Sequence, residues 1–138
     1  MTVVSVFKNM NPLQNLITDA LLRTGHVSNA CLIDKNLDGK LLASTNGFTL
    51  SQDQVVSIIA SFISPSSIRE NDFYFGGRKF ECIRADKESI YAKNGNSGVI
   101  LMQTNQLIVL ATYNDHMFPA VAVESVEKLC QYFKEKGK

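Results

Sequence analysis

The chain has 138 residues, a hydrophobic fraction of 45% and a formal net charge of +1. This length suits one domain with a single substantial core, and the composition is ordinary for a soluble globular protein. The small net charge gives no general attraction to nucleic acid or to a membrane surface, so we expect no nucleic-acid partner. An anionic partner would have to be bound by a local patch.

The cysteines and the apolar stretches bear on location. Three cysteines, an odd number, lie in apolar segments at Cys31, Cys82 and Cys130. We expect buried, reduced thiols rather than a disulfide framework. The apolar run Val3–Phe7 is too short for a signal-peptide core or a transmembrane segment. A cytoplasmic protein without a transmembrane segment is therefore expected.

The first helix is predicted to begin at Asn11, a capping residue, with Pro12 at the first helical position. Apolar residues follow at helical spacing, namely Leu13, Leu16, Ile17, Ala20 and Leu21. Gly25 is expected to end this segment. Residues 1–10 form an N-terminal extension, predicted to be a flexible tail or a short edge strand. The predicted domain then covers residues 11–138.

Two short strands are predicted next. Ser28–Asp34 and Lys40–Thr45 have strand composition, and the turn at Asn36–Gly39 joins them. Its Asp-Gly pair is a strong signal for a tight reversal, because glycine adopts the positive φ angles that such turns need. The pattern predicts a β-hairpin.

A second helix is predicted from its first residues. Ser51–Gln54 has the spacing of a capping box, in which the two end residues satisfy each other's backbone N–H groups. An apolar face follows at Val55, Ile58, Ile59 and Phe62. Pro65 is expected to stop the helix, and residues 64–72 are predicted to form a polar loop.

From Phe73 to Thr112 the pattern predicts one antiparallel meander. The predicted strands are Phe73–Phe75, Lys79–Arg84, Ser89–Lys93, Val99–Gln103 and Leu107–Thr112. The predicted turns are Gly76-Gly77, Ala85–Glu88, Asn94–Gly98 and Thr104–Gln106. The last strand is almost entirely apolar, so we expect it in the centre of the sheet with both faces covered.

A closing helix is predicted after the loop Asn114–Pro119. Its apolar face consists of Ala122, Val126, Leu129, Cys130 and Phe133. Glu124 and Lys128 lie four residues apart on the opposite side, as in a surface ion pair. The order of elements predicts an α+β fold with a central antiparallel sheet of about six to seven strands, covered by helices.

No residue pattern predicts catalysis, a metal site or a cofactor. His26 and His116 lie in predicted loops, and neither has the spacing to other ligands that zinc sites show. Gly95–Gly98 lies between two strands, so we interpret it as a hairpin turn and not as a phosphate-binding loop. We expect a binding module and not an enzyme.

Four basic residues fall on neighbouring strands of the predicted meander, namely Arg78, Lys79, Arg84 and Lys93. One outward-facing cluster of these cations would bind acidic phospholipids or an acidic protein surface. The alternative is a solvated basic face that binds nothing, and the residues favour neither interpretation.

The second half of the chain resembles the profilin family. The segments that carry the resemblance are Gly76–Arg84, Lys93–Ile100, Gln103–Gln106, Tyr113–Pro119 and Val126–Phe133. It covers about residues 12–138, and the pattern is most similar to the divergent fourth profilin type of animals. The resemblance implies an antiparallel sheet with the N- and C-terminal helices on one face and a shorter helix on the other. It also implies a cytoskeleton-associated protein that binds actin monomers, proline-rich peptides and phosphoinositides.

The implied groove for proline-rich peptides is degraded in this chain. Flat aromatic rings pack well on the rigid polyproline II helix. The family's aromatic positions are occupied here by Leu13, Leu16 and Leu42, and the chain contains no tryptophan. Only Tyr132 keeps a ring, so we expect binding of proline-rich peptides to be weak or absent.

The implied actin site is also altered. Its expected contacts are Lys79, Ile83, Arg84 and Lys93 on the sheet, with Ala120, Val123 and Glu124 at the start of the last helix. Ala120–Val123 replace a polar run of the family, and Glu124 replaces a lysine. Reversal of one charge at an interface costs several kcal/mol. We therefore expect weak actin binding and retained binding of acidic phospholipids, including phosphoinositides.

Two alternatives stay open. The chain is a fully active actin-monomer sequestering protein if Ala120–Glu124 find other partners on actin. It is a small-ligand-binding or sensory domain if the α+β scaffold holds a closed apolar pocket beside the sheet.

Overall fold

The computed structural model describes residues 12–36, 39–45 and 47–138. The helices are α1 (Pro12–Ala20), a short 3-10 helix (Leu22–Thr24), α2 (Gln52–Ile63), α3 (Pro65–Asn71) and α4 (Pro119–Glu135). The strands are β1 (Asn29–Asp34), β2 (Lys40–Ser44), β3 (Phe73–Phe75), β4 (Arg78–Ala85), β5 (Ser89–Asn94), β6 (Ser97–Gln103) and β7 (Leu107–Tyr113). The predicted extension 1–10, the predicted cap Asn11 and the centre of the turn 36–39 lie outside the described residues.

The strands form one seven-stranded sheet in the order β2-β1-β7-β6-β5-β4-β3. Every neighbouring pair is antiparallel. This half-barrel confirms the predicted α+β class and the predicted number of strands. β7 lies between β1 and β6 and is buried almost throughout, as its apolar sequence predicts.

Helices cover the two faces of the sheet. On the first face, α1 and α4 pack through residues such as Ile17, Val126 and Phe133 against the inner strands. On the second face, α2 and α3 pack through residues such as Ile58 and Ile68. The terminal helices therefore share one face as implied by the resemblance, and the opposite face carries α2 and α3, which are both shorter than α4.

The polar loop predicted over residues 64–72 is wrong, because Pro65–Asn71 form the helix α3. Proline is compatible with the first helical position, where its missing N–H removes a donor that would have no partner. Ile68 turns into the core and holds the helix on the sheet. One buried apolar residue in seven gives no periodic signal in the sequence.

Only half of the predicted capping box at the start of α2 is present. The Ser51 hydroxyl accepts a hydrogen bond from the Gln54 backbone N–H at 3.1 Å. The side chain of Gln54 instead donates to the Tyr74 carbonyl at 3.1 Å and accepts from the Gly76 N–H at 3.0 Å. Gln54 thus fastens α2 to the hairpin between β3 and β4.

The predicted turn Asn94–Gly98 is shorter than expected. β5 extends to Asn94 and β6 begins at Ser97, so that Gly95 and Asn96 make the turn. Gly98 belongs to β6, and its missing side chain leaves the space that the ring of Tyr113 occupies. This glycine is required for packing rather than for reversal of the chain.

Candidate functional site

One half of the first sheet face is open. α4 packs on β6 and β7, and the core beneath the terminal helices is centred on these strands and β1. On the same face, β3, β4 and β5 carry exposed side chains, namely Tyr74, Lys79, Glu81, Arg84 and Lys93. We call these five residues the open half-sheet. They include three of the predicted actin contacts.

A β-bulge at Ile83 positions Arg84 on the open half-sheet. Strict alternation would place Arg84 with Phe80 on the opposite, buried face. The register shifts between Cys82 and Arg84, so that Arg84 pairs with Tyr91 of β5. Paired residues share a face, and Tyr91 packs against the core of the first face. Ile83, the extra residue, is 54% exposed.

Acidic residues accompany the cations of this surface. The Lys79 ammonium lies 3.7 Å from a carboxylate oxygen of Asp72. Lys93 lies directly opposite Glu81 in the pairing of β4 with β5. Arg84 donates to Asp86 at 2.9 Å, and this hydrogen bond raises the pKa of the guanidinium. The open half-sheet is therefore a surface of mixed charge and not a continuous basic ridge.

Arg78 lies on the other face of the sheet. It neighbours Lys79 in β4, so the two side chains point to opposite sides. Its guanidinium lies 5.8 Å from the ring centroid of Phe80, which belongs to the second core. The predicted single cluster of four cations is therefore wrong, because the pleat of β4 separates Arg78 from Lys79, Arg84 and Lys93.

The start of α4 adjoins the open half-sheet. Lys93 and the loop before α4 line one depression of about 400 Å3. Arg84 shares a second depression, of about 230 Å3, with Glu127 and Lys134 of α4. Ala120 and Glu124 are exposed, and Val123 is half-buried against the core. The loop before α4 thus borders the open half-sheet, whereas Glu124 lines the groove between α1 and α4.

Phe118 lies beside Lys93 and contacts His26, and no pattern in the sequence marks either Phe118 or His26 as a functional residue. The two rings stack with centroids 4.9 Å apart. The Phe118 N–H donates to Nδ1 of His26 at 2.9 Å, and Phe118 is 63% exposed. His26 therefore fixes the residue that precedes α4. No local pattern signals this contact, because 92 residues separate its partners.

A second candidate site is the groove between α1 and α4. It has a volume of about 370 Å3 and is lined by Leu16, Ala20, Thr24, Val121, Glu124, Ser125, Lys128, Leu129 and Tyr132. We call it the interhelical groove. Two of the predicted peptide contacts, Leu16 and Tyr132, lie in its wall. Leu13 and Leu42 are half-buried against the core instead.

Among the described residues that line the interhelical groove, Tyr132 alone is aromatic. Its side chain is 43% exposed, and the Lys136 ammonium lies 5.5 Å from its ring centroid. The predicted ion pair on this helix is present, with Lys128 and Glu124 3.1 Å apart. The groove is thus mainly aliphatic, with a charged rim.

Other chemistry is sparse in the described ranges. No group of three or more histidine, cysteine or carboxylate side chains there has metal-binding geometry. The three cysteines are free thiols, and burial raises the pKa of Cys31 and of Cys130 to about 12. Such thiols stay protonated at neutral pH and are poor nucleophiles. None of the described helices combines the length and the apolar character that a membrane crossing requires.

Comparison with known proteins gives consistent matches. The Profilin family model matches residues 11–138. Profilin-4 of Mus musculus is 41% identical over 129 residues, which cover 93% of this chain and 99% of that protein. Profilin-4 of Bos taurus is 40% identical over the same share of each chain. The predicted resemblance, including that to the fourth animal type, is confirmed.

Solved structures agree. Profilin IA of Acanthamoeba castellanii is 32% identical and superposes with a TM-score of 0.83, covering 91% of this chain and 98% of that chain. Mouse profilin IIa, solved in complex with a double repeat from the FH1 domain of mDia1, is 13% identical with a TM-score of 0.71. It covers 91% of this chain and 98% of its own, and at this identity the likeness shows the fold alone.

Proposed function

Because the chain belongs to the profilin family, whose members regulate actin, we propose that it binds actin monomers through the open half-sheet and the start of α4. The observation that carries the proposal is the bulge at Ile83. It brings Arg84 onto the same face as Lys79 and Lys93. Arg84 then lies beside the middle and last turns of α4, and Lys93 lies beside the loop that precedes this helix. These residues then form one surface that no described helix covers.

We propose that this binding is weak. Ala120 and Val123 present small apolar groups where polar contacts are expected, and Glu124 carries the reversed charge. Glu124 is also paired with Lys128 at 3.1 Å, so a partner must compete with that contact. Since like charges and unpaired polar groups at an interface each cost free energy, the affinity should fall well below that of a matched surface.

Acidic phospholipids are a second proposed partner, bound by Lys79, Arg84 and Lys93. Their shared face supports this proposal, and their acidic neighbours limit it. Asp72, Glu81 and Asp86 offset part of the positive charge, and Arg78 cannot join from the opposite face. We expect this binding to be weak at physiological ionic strength and to decrease further as salt is added.

Binding of proline-rich peptides is proposed to be weak or absent. The interhelical groove exists, and mouse profilin IIa is known in complex with an FH1 repeat. Of the groove residues in the described part of this chain, only Tyr132 offers a ring to stack on prolines. A small-ligand or sensory function is not favoured, because packed side chains fill both cores between the sheet and the helices. We propose a cytoplasmic, cytoskeleton-associated regulator without enzymatic activity.

A pair of charge reversals in β4 tests the actin site. Arg84→Glu and Arg78→Glu change the net charge equally but lie on opposite faces of the sheet. Titration of fluorescently labelled actin monomers should show at least about tenfold weaker binding for Arg84→Glu, since it adds a like charge at the interface. Arg78→Glu should stay close to wild type, and circular dichroism confirms that both variants fold.

The same pair tests the lipid site with vesicles of phosphatidylcholine and phosphatidylserine. Arg84→Glu should reduce co-sedimentation, and Arg78→Glu should not. Absence of any effect of the wild type on actin at a large molar excess would refute actin binding. Equal effects of the two variants would refute the assignment of the site to the open half-sheet.

A further inference from the structure

The interhelical groove is an apolar surface that the described residues leave open. One side consists of Leu16 and Ala20 of α1 and of Thr24 in the 3-10 helix. At about 1.5 Å per residue in the α-helix and about 2.0 Å in the 3-10 helix, the distance from Leu16 to Thr24 along this side is roughly 12–16 Å. The opposite edge is formed by Val121, Leu129 and Tyr132 of α4. A short extended segment would fit this length.

The two ends of the groove can be assigned. His26, just after Thr24, stacks on Phe118, just before α4. The first turn of α4 therefore lies beside the 3-10 helix, and the last turns lie beside the beginning of α1. The chain enters α1 at Pro12, at the end of the groove where Tyr132 is found.

The chain supplies an apolar segment at that point. Val3–Phe7 contains four apolar residues in five and precedes α1 by a four-residue link, Lys8–Asn11. Five extended residues span about 17 Å, and the link spans at most about 14 Å. Leu16 is only about 6 Å along the helix axis from Pro12. A reversal within the link is therefore long enough to lay Val3–Phe7 along the groove, antiparallel to α1.

The comparisons place this segment outside the family domain. The Profilin match begins at residue 11, and mouse Profilin-4 is matched over 99% of its length by 129 residues of this chain. The fold common to these relatives is thus complete without Val3–Phe7. An apolar addition to a complete domain calls for an apolar surface to bind.

We propose that Val3–Phe7 binds in the interhelical groove of its own chain, with Phe7 beside Tyr132 and the valines against Leu16, Leu129 and Val121. The groove is then occupied in cis, and a peptide ligand must displace the segment. A short tether gives an effective concentration on the order of millimolar, so that a weak contact suffices. The proposal deepens the role given above to this groove, but docking of the segment does not require that the groove bind proline.

A tryptophan probe tests the docking directly. The chain has no tryptophan, so Phe7→Trp introduces a single indole. Docking should shift its emission to shorter wavelength and lower its quenching by acrylamide. At the effective concentration that the tether gives, half or more of the molecules should be docked. Val121→Asp in the Phe7→Trp protein should release the segment and raise the acrylamide quenching constant at least about twofold.

Val56→Asp is the matched control, because Val56 is an exposed valine of α2 on the opposite face of the sheet. It should leave the indole unchanged. Tyr132→Ser, at a residue 43% exposed, repeats the test should Val121→Asp fail to fold. An indole that is fully quenched in the parent, or equally quenched in the parent and both groove variants, would overturn the proposal.

Dilution and truncation separate the remaining outcomes. Protection of the indole that is lost on dilution would mean that a second copy supplies the segment, which overturns docking in cis. Deletion of residues 1–10 should increase the affinity of a proline decamer for the groove about twofold or more, because the competing segment is removed. The indole of the Phe7→Trp protein could be protected while the protein without residues 1–10 fails to bind the decamer. That result would refute only the proline-peptide site and would leave the docking of Val3–Phe7 intact.

Discussion

A side chain at Gly98 should destabilise the protein, because the ring of Tyr113 occupies the position of a Cβ atom. The two residues are paired across β6 and β7, and both are buried. A Cβ built on Gly98 would overlap Cζ, Cε2 and the hydroxyl oxygen of Tyr113. Carbon atoms in ordinary contact lie about 3.5–4.0 Å apart, so in Gly98→Ala the ring must move away from the strand.

The expected cost follows from two opposing terms. Overpacking of a well-filled core destabilises by about 1–3 kcal/mol. Replacement of a strand glycine by alanine recovers about 0.5–1 kcal/mol of backbone entropy. Because three atoms of Tyr113 would overlap the new methyl group, we take the upper part of the overpacking cost, about 2–3 kcal/mol, and expect Gly98→Ala to lower the free energy of unfolding by about 1–2.5 kcal/mol. The midpoint of thermal unfolding should fall by several degrees.

A double-mutant cycle with Tyr113→Leu isolates the contact. Leucine lacks the Cζ, Cε2 and hydroxyl atoms that the new methyl group would meet. In the Tyr113→Leu background, Gly98→Ala should be close to neutral or slightly stabilising. Urea unfolding followed by circular dichroism measures all four proteins. An equal cost of Gly98→Ala in both backgrounds, or no cost in either, would refute the packing argument.

Two further predictions concern the buried thiols and the hydrogen bonds by which Gln54 joins α2 to the hairpin of β3 and β4. Since burial raises the pKa of Cys31 and Cys130 from 9.0 to about 12, the unfolded chain loses these protons first. The free energy of unfolding should therefore fall as pH rises from 9 towards 12, by up to about 1.4 kcal/mol per pH unit for each thiol. Urea unfolding midpoints measured across this pH range check the slope, which should be smaller in a Cys31→Ala/Cys130→Ala variant than in the wild type. Gln54→Ala should cost about 1 kcal/mol and speed amide exchange at Gly76, since the bridge to the β3 hairpin is lost. Ser57→Ala, at an exposed site of the same helix, is its control and should leave exchange at Gly76 unchanged.

The regular parts of the fold were predictable because side-chain burial imposes a period on the sequence. All five predicted apolar positions of α4 are buried, and the predicted strands of the meander agree with the observed ones to within two residues at each end. Each of these elements rests on several residues that point the same way. α3 was missed because its attachment depends on one buried side chain, Ile68.

Contacts between distant segments were not predictable from local patterns. Gln54 has the spacing of a capping residue, yet its side chain binds the β3 hairpin, which lies 20 to 22 residues further along the chain. His26 has the character of a loop residue, yet it accepts the N–H that precedes α4. In both cases the same side-chain atoms can bind a neighbour in the sequence or a distant segment. The sequence does not show which of the two partners they bind.

The basic residues show how one extra residue decides a surface. Alternation in β4 places Lys79 and Glu81 on one face and Phe80 and Cys82 on the other, and the same rule would put Arg78 and Arg84 together on the buried side. The bulge at Ile83 moves Arg84 alone to the open face. A strand that contains a bulge has the same residue composition as a regular strand. The change of face at Arg84 is therefore visible only in its pairing with the neighbouring strand. Deletion of Ile83 should therefore remove the bulge but leave Arg84 directly after Cys82, paired with Tyr91 on the open face, so that actin and lipid binding are retained. Ile83→Ala should keep both the bulge and the orientation of Arg84. Loss of both binding activities in a folded deletion variant would contradict this register.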